Sequence, residues 1–139
     1  MTTNLKVLSK NRPIPADSAP VLEIRHLGRM FRAERSYLTV LENIRFDVAE
    51  GEMLCIVGPS GCGKTTLLKI LAGFLKPSSG AVLLRGRPVS GPGPDRCVVF
   101  QEDALFPWLT VAENIAFGLK GKGVGRRRRN EMVDRYLSL

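Results

Sequence analysis

The chain has 139 residues, of which 44% are hydrophobic and 24% charged, and its formal net charge is +8. These values suit one modest soluble domain with its own core. No apolar run approaches the roughly 18 residues of a membrane-spanning helix, and the N-terminus lacks the apolar stretch of a secretory signal. The sequence therefore predicts a cytoplasmic protein that does not cross a bilayer. Cys55, Cys62 and Cys97 are too widely spaced for a disulfide framework or a zinc site.

The N-terminal third predicts a tail followed by two strands. Residues 1–20 are expected to be disordered, because Pro13, Pro15 and Pro20 interrupt any helix and apolar residues are sparse. Order should begin at Val21–Leu27, where apolar and polar residues partly alternate as in a half-buried strand. A polar loop then leads to Tyr37–Val48, whose last residues alternate in the same way.

A glycine-rich stretch lies between the apolar run Met53–Val57 and the helix-forming run Thr65–Ala72. It fits the pattern G-x-x-x-x-G-K-[ST], in which curled backbone N–H groups and the positive end of a helix hold a polyphosphate. Because the buried strand, the glycine loop and the helix occur in the required order, we prefer a nucleotide site to a chance glycine turn. The predicted site comprises Gly58, Pro59, Ser60, Gly61, Cys62, Gly63, Lys64, Thr65 and Thr66.

Two residues of this stretch have predicted roles of their own. Lys64 can reach the terminal phosphates as a point charge. The hydroxyl of Thr65 can coordinate Mg²⁺, which keeps several waters and shares phosphate oxygens. A nucleotide polyphosphate with Mg²⁺ is therefore the expected ligand pair.

The segment after the loop predicts a helix and three short strands. The helix should end near Gly73, with Pro77 beyond it as a breaker. Strand segments are expected at Ala81–Leu84 and Pro88–Val89. The nearly continuous apolar run Arg96–Phe100 suits a strand that is buried on both faces in a parallel sheet.

The C-terminal part predicts two helices joined by a basic loop. Thr110 and Glu113 have the spacing of a capping box, so a helix should run from about 111 to about 119. A last helix is expected from about 126 to 139. Between 120 and 129 the chain has six Lys or Arg residues and no acid. Such a run can bind nucleic acid, but without interleaved aromatic residues a solvated helix face is the preferred interpretation.

Separated motifs resemble the ATP-binding subunit of ABC transporters. They are Gly51-Glu52 with the glycine loop, Ala72-Gly73 followed by Pro77–Gly80, and Gly91–Arg96 followed by Val98–Gln101 and Pro107-Trp108. The last set resembles one subgroup in particular, which powers importers of nitrate, alkanesulfonates, taurine and related small solutes. The resemblance covers about residues 21–139.

The resemblance implies an α/β fold, a P-loop NTPase core of the ABC ATPase type with an N-terminal antiparallel β subdomain. Residues 21–139 would be the N-terminal part of a nucleotide-binding domain, with a helical subdomain beginning near 110. The sequence contains no match to four further elements of the family: the signature loop, the acidic Walker B strand, the catalytic Glu and the switch His. The match to the family pattern is therefore truncated before these elements. We therefore expect the chain to bind Mg-ATP without hydrolysing it efficiently. We also expect the chain to be aggregation-prone, because the strand of the glycine loop would have an unpaired edge.

The resemblance also implies residue roles and partners. Gln101 would approach Mg²⁺ and the attacking water, and Phe31, or else Tyr37, would stack on adenine. Residues 105–108 would receive the membrane permease subunit, although Phe106 can equally be a hydrophobic plug. A second ATPase subunit would complete a homodimer on the inner face of the cell membrane, with no nucleic acid partner.

Two further alternatives remain open on the residues. One is a stand-alone, non-catalytic nucleotide-binding or regulatory module. The other is a different phosphate-loop enzyme, such as a small-molecule kinase, which the segment from Gln101 to Trp108 argues against.

Overall fold

The computed structural model describes residues 6–9, 19–34, 36–101 and 105–139, with the backbone alone for 6–9. The chain divides into two compact units, Met1–Val98 and Val99–Leu139. In the described ranges no helix is both long enough and apolar enough to span a membrane.

In the residues that the structure describes, the first unit contains six strands and one helix. In chain order they are β1 (Lys6–Ser9), β2 (Leu22–Arg32), β3 (Tyr37–Val48), β4 (Leu54–Val57), α1 (Lys64–Leu71), β5 (Ser79–Leu84) and β6 (Arg87–Pro88). Four of the strands form an antiparallel sheet in the order β3-β2-β5-β6. The predicted antiparallel β subdomain is thus confirmed, and so is the helix directly after the glycine loop.

The core of this unit lies between the antiparallel sheet and α1. Leu67 and Ile70 of α1 are three residues apart and both buried, as expected for one face of a helix. Each buried Leu or Ile side chain stabilises the fold by roughly 2 kcal/mol. The buried cluster comprises Ile24, Leu27, Leu41, Leu67, Ile70 and Val82.

The strand that leads into the glycine loop differs from its prediction. β4 pairs antiparallel with β1, residue Lys6 lying opposite Val57 and Ser9 opposite Leu54. The predicted disordered tail is therefore wrong at these four residues, whereas most of the remaining tail lies outside the described residues. Backbone pairing explains the difference, because β4 offers unpaired N–H and C=O groups along its edge.

The loop strand, predicted to be buried, is only partly covered. Residues of β4 alternate between half-buried and exposed, with Cys55 and Val57 among the exposed ones. The alternation means that only one face of β4 is partly covered. Burial of both faces needs a packed layer on each face of the sheet.

The predicted strand at Arg96–Phe100 does not form. Cys97–Phe100 have no regular structure, and Val99 is 89% exposed. A parallel strand needs neighbours to satisfy its backbone groups. In the described part of the chain no strand pairs with this run, so its apolar composition alone does not produce a strand.

The described part of the second unit contains two helices, α2 (Val111–Gly121) and α3 (Arg126–Leu137). Both lie close to their predicted bounds. The capping box is present: Thr110 Oγ1 accepts a hydrogen bond from the Glu113 N–H at 3.3 Å, and the Thr110 N–H donates to Glu113 Oε2 at 2.8 Å. Val133 of α3 is buried.

Candidate nucleotide-binding site

The glycine loop connects the end of β4 to the first residue of α1. Gly63 is the N-cap of α1, with φ of 101°, and its carbonyl accepts the first helical hydrogen bond from the Leu67 N–H at 2.8 Å. Gly61 also has a positive φ, of 79°. Because L-residues other than glycine rarely adopt such angles, the loop geometry requires glycine at these positions.

Strand β3 forms the floor beneath Gly63. A Cβ atom at Gly63 would lie 2.8 Å from Leu41 Cδ2 and 3.1 Å from the Val40 carbonyl oxygen. The loop can therefore approach β3 closely only with glycine at this position. Sequence reasoning did not identify Val40 and Leu41 as supports, since nothing in their apolar composition distinguishes them from other core residues.

The N-terminus of α1 is open to an anion. Gly63 provides no side-chain cap, and the first turn contains no acidic residue. The N–H groups of a first helical turn have no intrahelical acceptor, and the helix dipole makes this end positive. The first turn thus presents donors of the kind that bind phosphate.

Lys64 is folded back over the loop. Its Nζ donates hydrogen bonds to the carbonyl oxygens of Gly58, at 2.7 Å, and Pro59, at 2.8 Å, and lies 3.8 Å from Cys62 Sγ. The ammonium group therefore lies within the curve of the loop. A phosphate oxygen would replace one or more of these neutral acceptors with a charged one, which forms a stronger hydrogen bond with Nζ.

The hydroxyl-bearing residues of the loop and of the first turn of α1 differ in exposure. Ser60 and Thr65 are exposed, and Thr66 is half-buried in the first turn of α1. A hydroxyl at the exposed position 65 suits a magnesium ion that retains water and shares phosphate oxygens. The donor set therefore fits a nucleotide phosphate with Mg²⁺, and the individual roles remain predictions.

The two aromatic candidates for adenine stacking lie on opposite faces of the β2–β3 ribbon. Phe31 pairs with Leu38 and the next residue, Arg32, pairs with Tyr37, so alternation separates Phe31 from Tyr37. The Arg29 guanidinium lies 4.5 Å from the centroid of the Phe31 ring and covers one face of it. Tyr37 is 71% exposed. Stacking on Phe31 would use its other face, and this role stays a prediction.

Gln101 belongs to the second unit, where its side chain is exposed. Its predicted position at the metal and the attacking water stays a prediction.

The predicted permease contact forms a turn anchored to α2. The Phe106 ring packs on Phe117 with centroids 4.4 Å apart and on Trp108 at 5.5 Å. Trp108 is 75% exposed and Phe106 is half-buried. The turn therefore contains one packed aromatic ring, Phe106, and one exposed ring, Trp108. An open cavity of about 420 Å³ lies beside it, lined by residues that include Leu105, Phe106, Leu109, Val111, Ile115 and Phe117.

Asn114 holds this turn in place, which the sequence reasoning missed. Its Oδ1 accepts from the Phe106 N–H at 2.9 Å, while Nδ2 lies within 3.2 Å of the carbonyl oxygens of Phe106, Leu109 and Thr110. The available signal was an Asn inside an otherwise helix-forming stretch, because Asn in that setting often bonds to nearby backbone.

The strand, the glycine loop with its lysine and the uncapped helix define a P-loop nucleotide-binding protein. The family model described as ABC transporter matches residues 41–139, more than half of the chain. The chain therefore belongs to the ABC transporter family of ATP-binding proteins.

Curated relatives and solved structures agree with this assignment. The taurine import ATP-binding protein TauB of Burkholderia pseudomallei (strain 1710b) is 55% identical over 110 residues, which cover 79% of this chain and 42% of that protein. A putative ATP-binding protein of Brucella abortus (strain 2308) is 54% identical over 99 residues, covering 71% and 38%. The chain thus spans about two-fifths of the length of these relatives.

The dimeric ABC transporter cassette MJ0796 is similar in structure, with a TM-score of 0.68 and 27% identity over 84% of this chain and 54% of that one. The same cassette in a dimeric post-hydrolysis state bound to ADP and Pi has a TM-score of 0.65 and 26% identity, covering 81% and 54%.

Proposed function

We propose that this chain is the ATP-binding part of an ABC importer ATPase subunit, which uses ATP hydrolysis to energise uptake of a small anion or organosulfur solute. The observation that carries the proposal is the uncapped N-terminus of α1 with Lys64 Nζ held inside the glycine loop. Relatives named taurine import ATP-binding proteins support a taurine-like organosulfur solute.

Each site residue has a role in this proposal. The backbone of Gly58–Thr66 and Lys64 bind the phosphates of ATP, while Thr65 and Gln101 coordinate Mg²⁺. Phe31 stacks on the adenine. Lys64 and Gln101 also act on the transferred phosphoryl group and the water, as phosphoryl transfer requires mainly positioning and charge stabilisation.

The partners follow from the second unit and from the relatives. The exposed Trp108 and the cavity beside the turn bind the membrane permease subunit, since exposed aromatic residues serve as interface anchors. The dimeric neighbour supports a homodimer of ATPase subunits. The subunit would then be cytoplasmic and peripheral to the inner face of the membrane.

Titration of the chain with Mg-ATP tests the nucleotide site. Amide NMR signals of residues 58–66 should shift, and Lys64→Ala should weaken binding about 10- to 100-fold because a charge-assisted hydrogen bond is lost. Lys69→Ala is the matched control, since Lys69 is exposed near the end of the same helix. Unchanged signals at 58–66 in a folded sample would overturn the proposal.

A second candidate is a stand-alone nucleotide-binding or regulatory module. The pairing of β1 with β4 favours it, because this pairing occupies an edge of the loop strand. Stable folding of the chain with tight Mg-ATP binding would favour this second candidate, and phosphate release from Mg-ATP by the same sample tests whether the chain hydrolyses the nucleotide. We expect binding without efficient turnover, and steady turnover that Lys64→Ala abolishes would contradict this expectation.

A further inference from the structure

One feature of the second unit has no role in the proposed function. It is a cluster of six cationic side chains, here termed the basic segment: Lys120, Lys122, Arg126, Arg127, Arg128 and Arg129. No Asp or Glu occurs from 120 to 129, and without these six charges the net charge of +8 would fall to +2. The excess positive charge of the chain is therefore concentrated at one place.

Most of the basic segment is exposed. Lys120, Lys122 and Arg126–Arg128 are exposed, and Arg129 is half-buried, with its Nη1 3.3 Å from the Val124 carbonyl oxygen. Arg127 pairs with Glu131 at 3.2 Å, but the two side chains are 95% and 62% exposed. Such an exposed pair contributes little and leaves both groups accessible to another partner.

The arginines lie at the end of α3 where cations are least favourable. The first turn of α3 contains no acid, and its N-cap Gly125 provides no side-chain cap. The helix dipole makes this end positive, so the four adjacent arginines place positive charges where the helix end is already positive. The arrangement lowers the stability of the helix and raises the positive potential in front of it, which an anionic partner would offset.

Aromatic residues adjoin these cations. An open cavity of about 540 Å³ is lined by Trp108 and Phe117 together with Lys120 and Arg129. The side chains of Trp108 and Phe117 are 75% and 53% exposed. Cations next to exposed aromatic rings are characteristic of proteins that contact the headgroup region of a membrane.

We propose that the basic segment binds the anionic phospholipid headgroups of a bilayer surface. Charge complementarity supports this occupant, since Lys and Arg near an anionic leaflet each strengthen binding by a similar increment. Nucleic acid phosphates would share this charge complementarity, and the competition experiment below separates them from a bilayer surface. The surface shares Trp108 with the proposed permease contact but does not include the nucleotide loop, so vesicle binding and Mg-ATP binding can succeed or fail independently of each other.

Vesicle co-sedimentation of the full 139-residue chain tests the proposal. The chain should bind vesicles of phosphatidylcholine with about one-third phosphatidylglycerol, but not pure phosphatidylcholine vesicles, and about 0.5 M salt should release it. The triple variant Arg126→Gln, Arg127→Gln, Arg128→Gln should bind about 100-fold more weakly, from roughly fivefold per charge.

A second triple variant controls for net charge. Arg25→Gln, Arg85→Gln, Arg87→Gln removes the same charge from exposed positions in the first unit. Equal losses in both triples would overturn the proposal, and so would equal binding of the wild-type chain to charged and neutral vesicles. Release from the vesicles by a single-stranded RNA of about 20 nucleotides, at matched phosphate concentration, would overturn it in favour of nucleic acid.

Discussion

The N-termini of α1 and α2 differ in whether side chains cap their backbone N–H groups. α1 begins after Gly63 in a left-handed conformation, with no side-chain cap and no acid in its first turn. α2 begins after Thr110, whose capping box with Glu113 satisfies donors at this end. A helix that caps itself has little left to offer an anion, whereas an uncapped helix retains its donors and its positive field. Capping thus distinguishes α1, the helix proposed to bind phosphate, from α2, whose first turn is already satisfied by its own side chains.

The turns in front of these helices differ in the same sense. The glycine loop depends on backbone conformation and on close approach to β3, with Lys64 bonding to two loop carbonyls. The turn at 105–109 depends on the Asn114 side chain, which bonds to its backbone from α2. Replacing residues in the two regions should therefore produce different kinds of loss.

The largest effect is expected at Gly63. Gly63→Ala places a Cβ 2.8 Å from Leu41 Cδ2 in a backbone with φ of 101°, so it should lower the free energy of unfolding by about 3 kcal/mol and abolish Mg-ATP binding. Urea denaturation and nucleotide titration measure the two losses. Gly61→Ala is the control: its φ is 79° but no atom lies within 4 Å, so about 1 kcal/mol is expected. Equal effects of the two variants would contradict the role of β3.

Asn114→Ala should have the next largest effect. It leaves the Phe106 N–H without its acceptor and should destabilise the turn by about 2 kcal/mol, with Mg-ATP affinity unchanged. Hydrogen exchange of the Phe106 amide reports this loss directly. Asn130→Ala, at an exposed position of α3, should leave that exchange rate as it is. A change in nucleotide affinity with Asn114→Ala would show that the two regions are not independent.

Removal of the α2 cap should have a smaller effect. Thr110→Ala deletes the hydroxyl that accepts from the Glu113 N–H, and should lower stability by about 1 kcal/mol. Thr110→Ser keeps the hydroxyl and should retain most of that stability. Thermal unfolding followed by circular dichroism provides the comparison, and identical midpoints for the Ala variant and the wild type would mean that the cap contributes nothing.

The smallest expected effect is a dependence of the stability of α2 on pH. The pKa of Glu113 lies below its ordinary value of 4.5. The main cause is the hydrogen bond from the Thr110 backbone N–H, and the Thr110 hydroxyl and the charge of Lys120 lower the pKa further. A carboxyl with a lowered folded-state pKa stabilises the fold above its ordinary value, and this contribution is lost as the pH falls through the folded-state pKa. The helicity of α2 should therefore decrease on acidification from about pH 6 to about pH 3. Glu113→Gln keeps an acceptor for the cap and should remove this part of the pH dependence.

Much of the local structure was predictable because its signals lie within a few residues. The glycine loop, α1 and the Thr110–Glu113 cap follow from short-range backbone and capping rules, and the structure has them where expected. The roles of Phe31 and Trp108 remain predictions. The run at 96–100 shows the limit, since apolar composition does not reveal whether a pairing strand is present.

The sequence by itself determined the phosphate-binding motif, the helix boundaries and the concentration of charge at 120–129, because each depends on neighbouring residues. Only the tertiary structure decided that β1 pairs with β4, that Leu41 supports Gly63 and that Asn114 holds the aromatic turn. Two of these contacts join segments more than 20 residues apart, and the third depends on how a turn folds back on its helix. Such pairings depend on which backbone groups and surfaces remain unsatisfied after local structure forms, and no short sequence pattern encodes that choice.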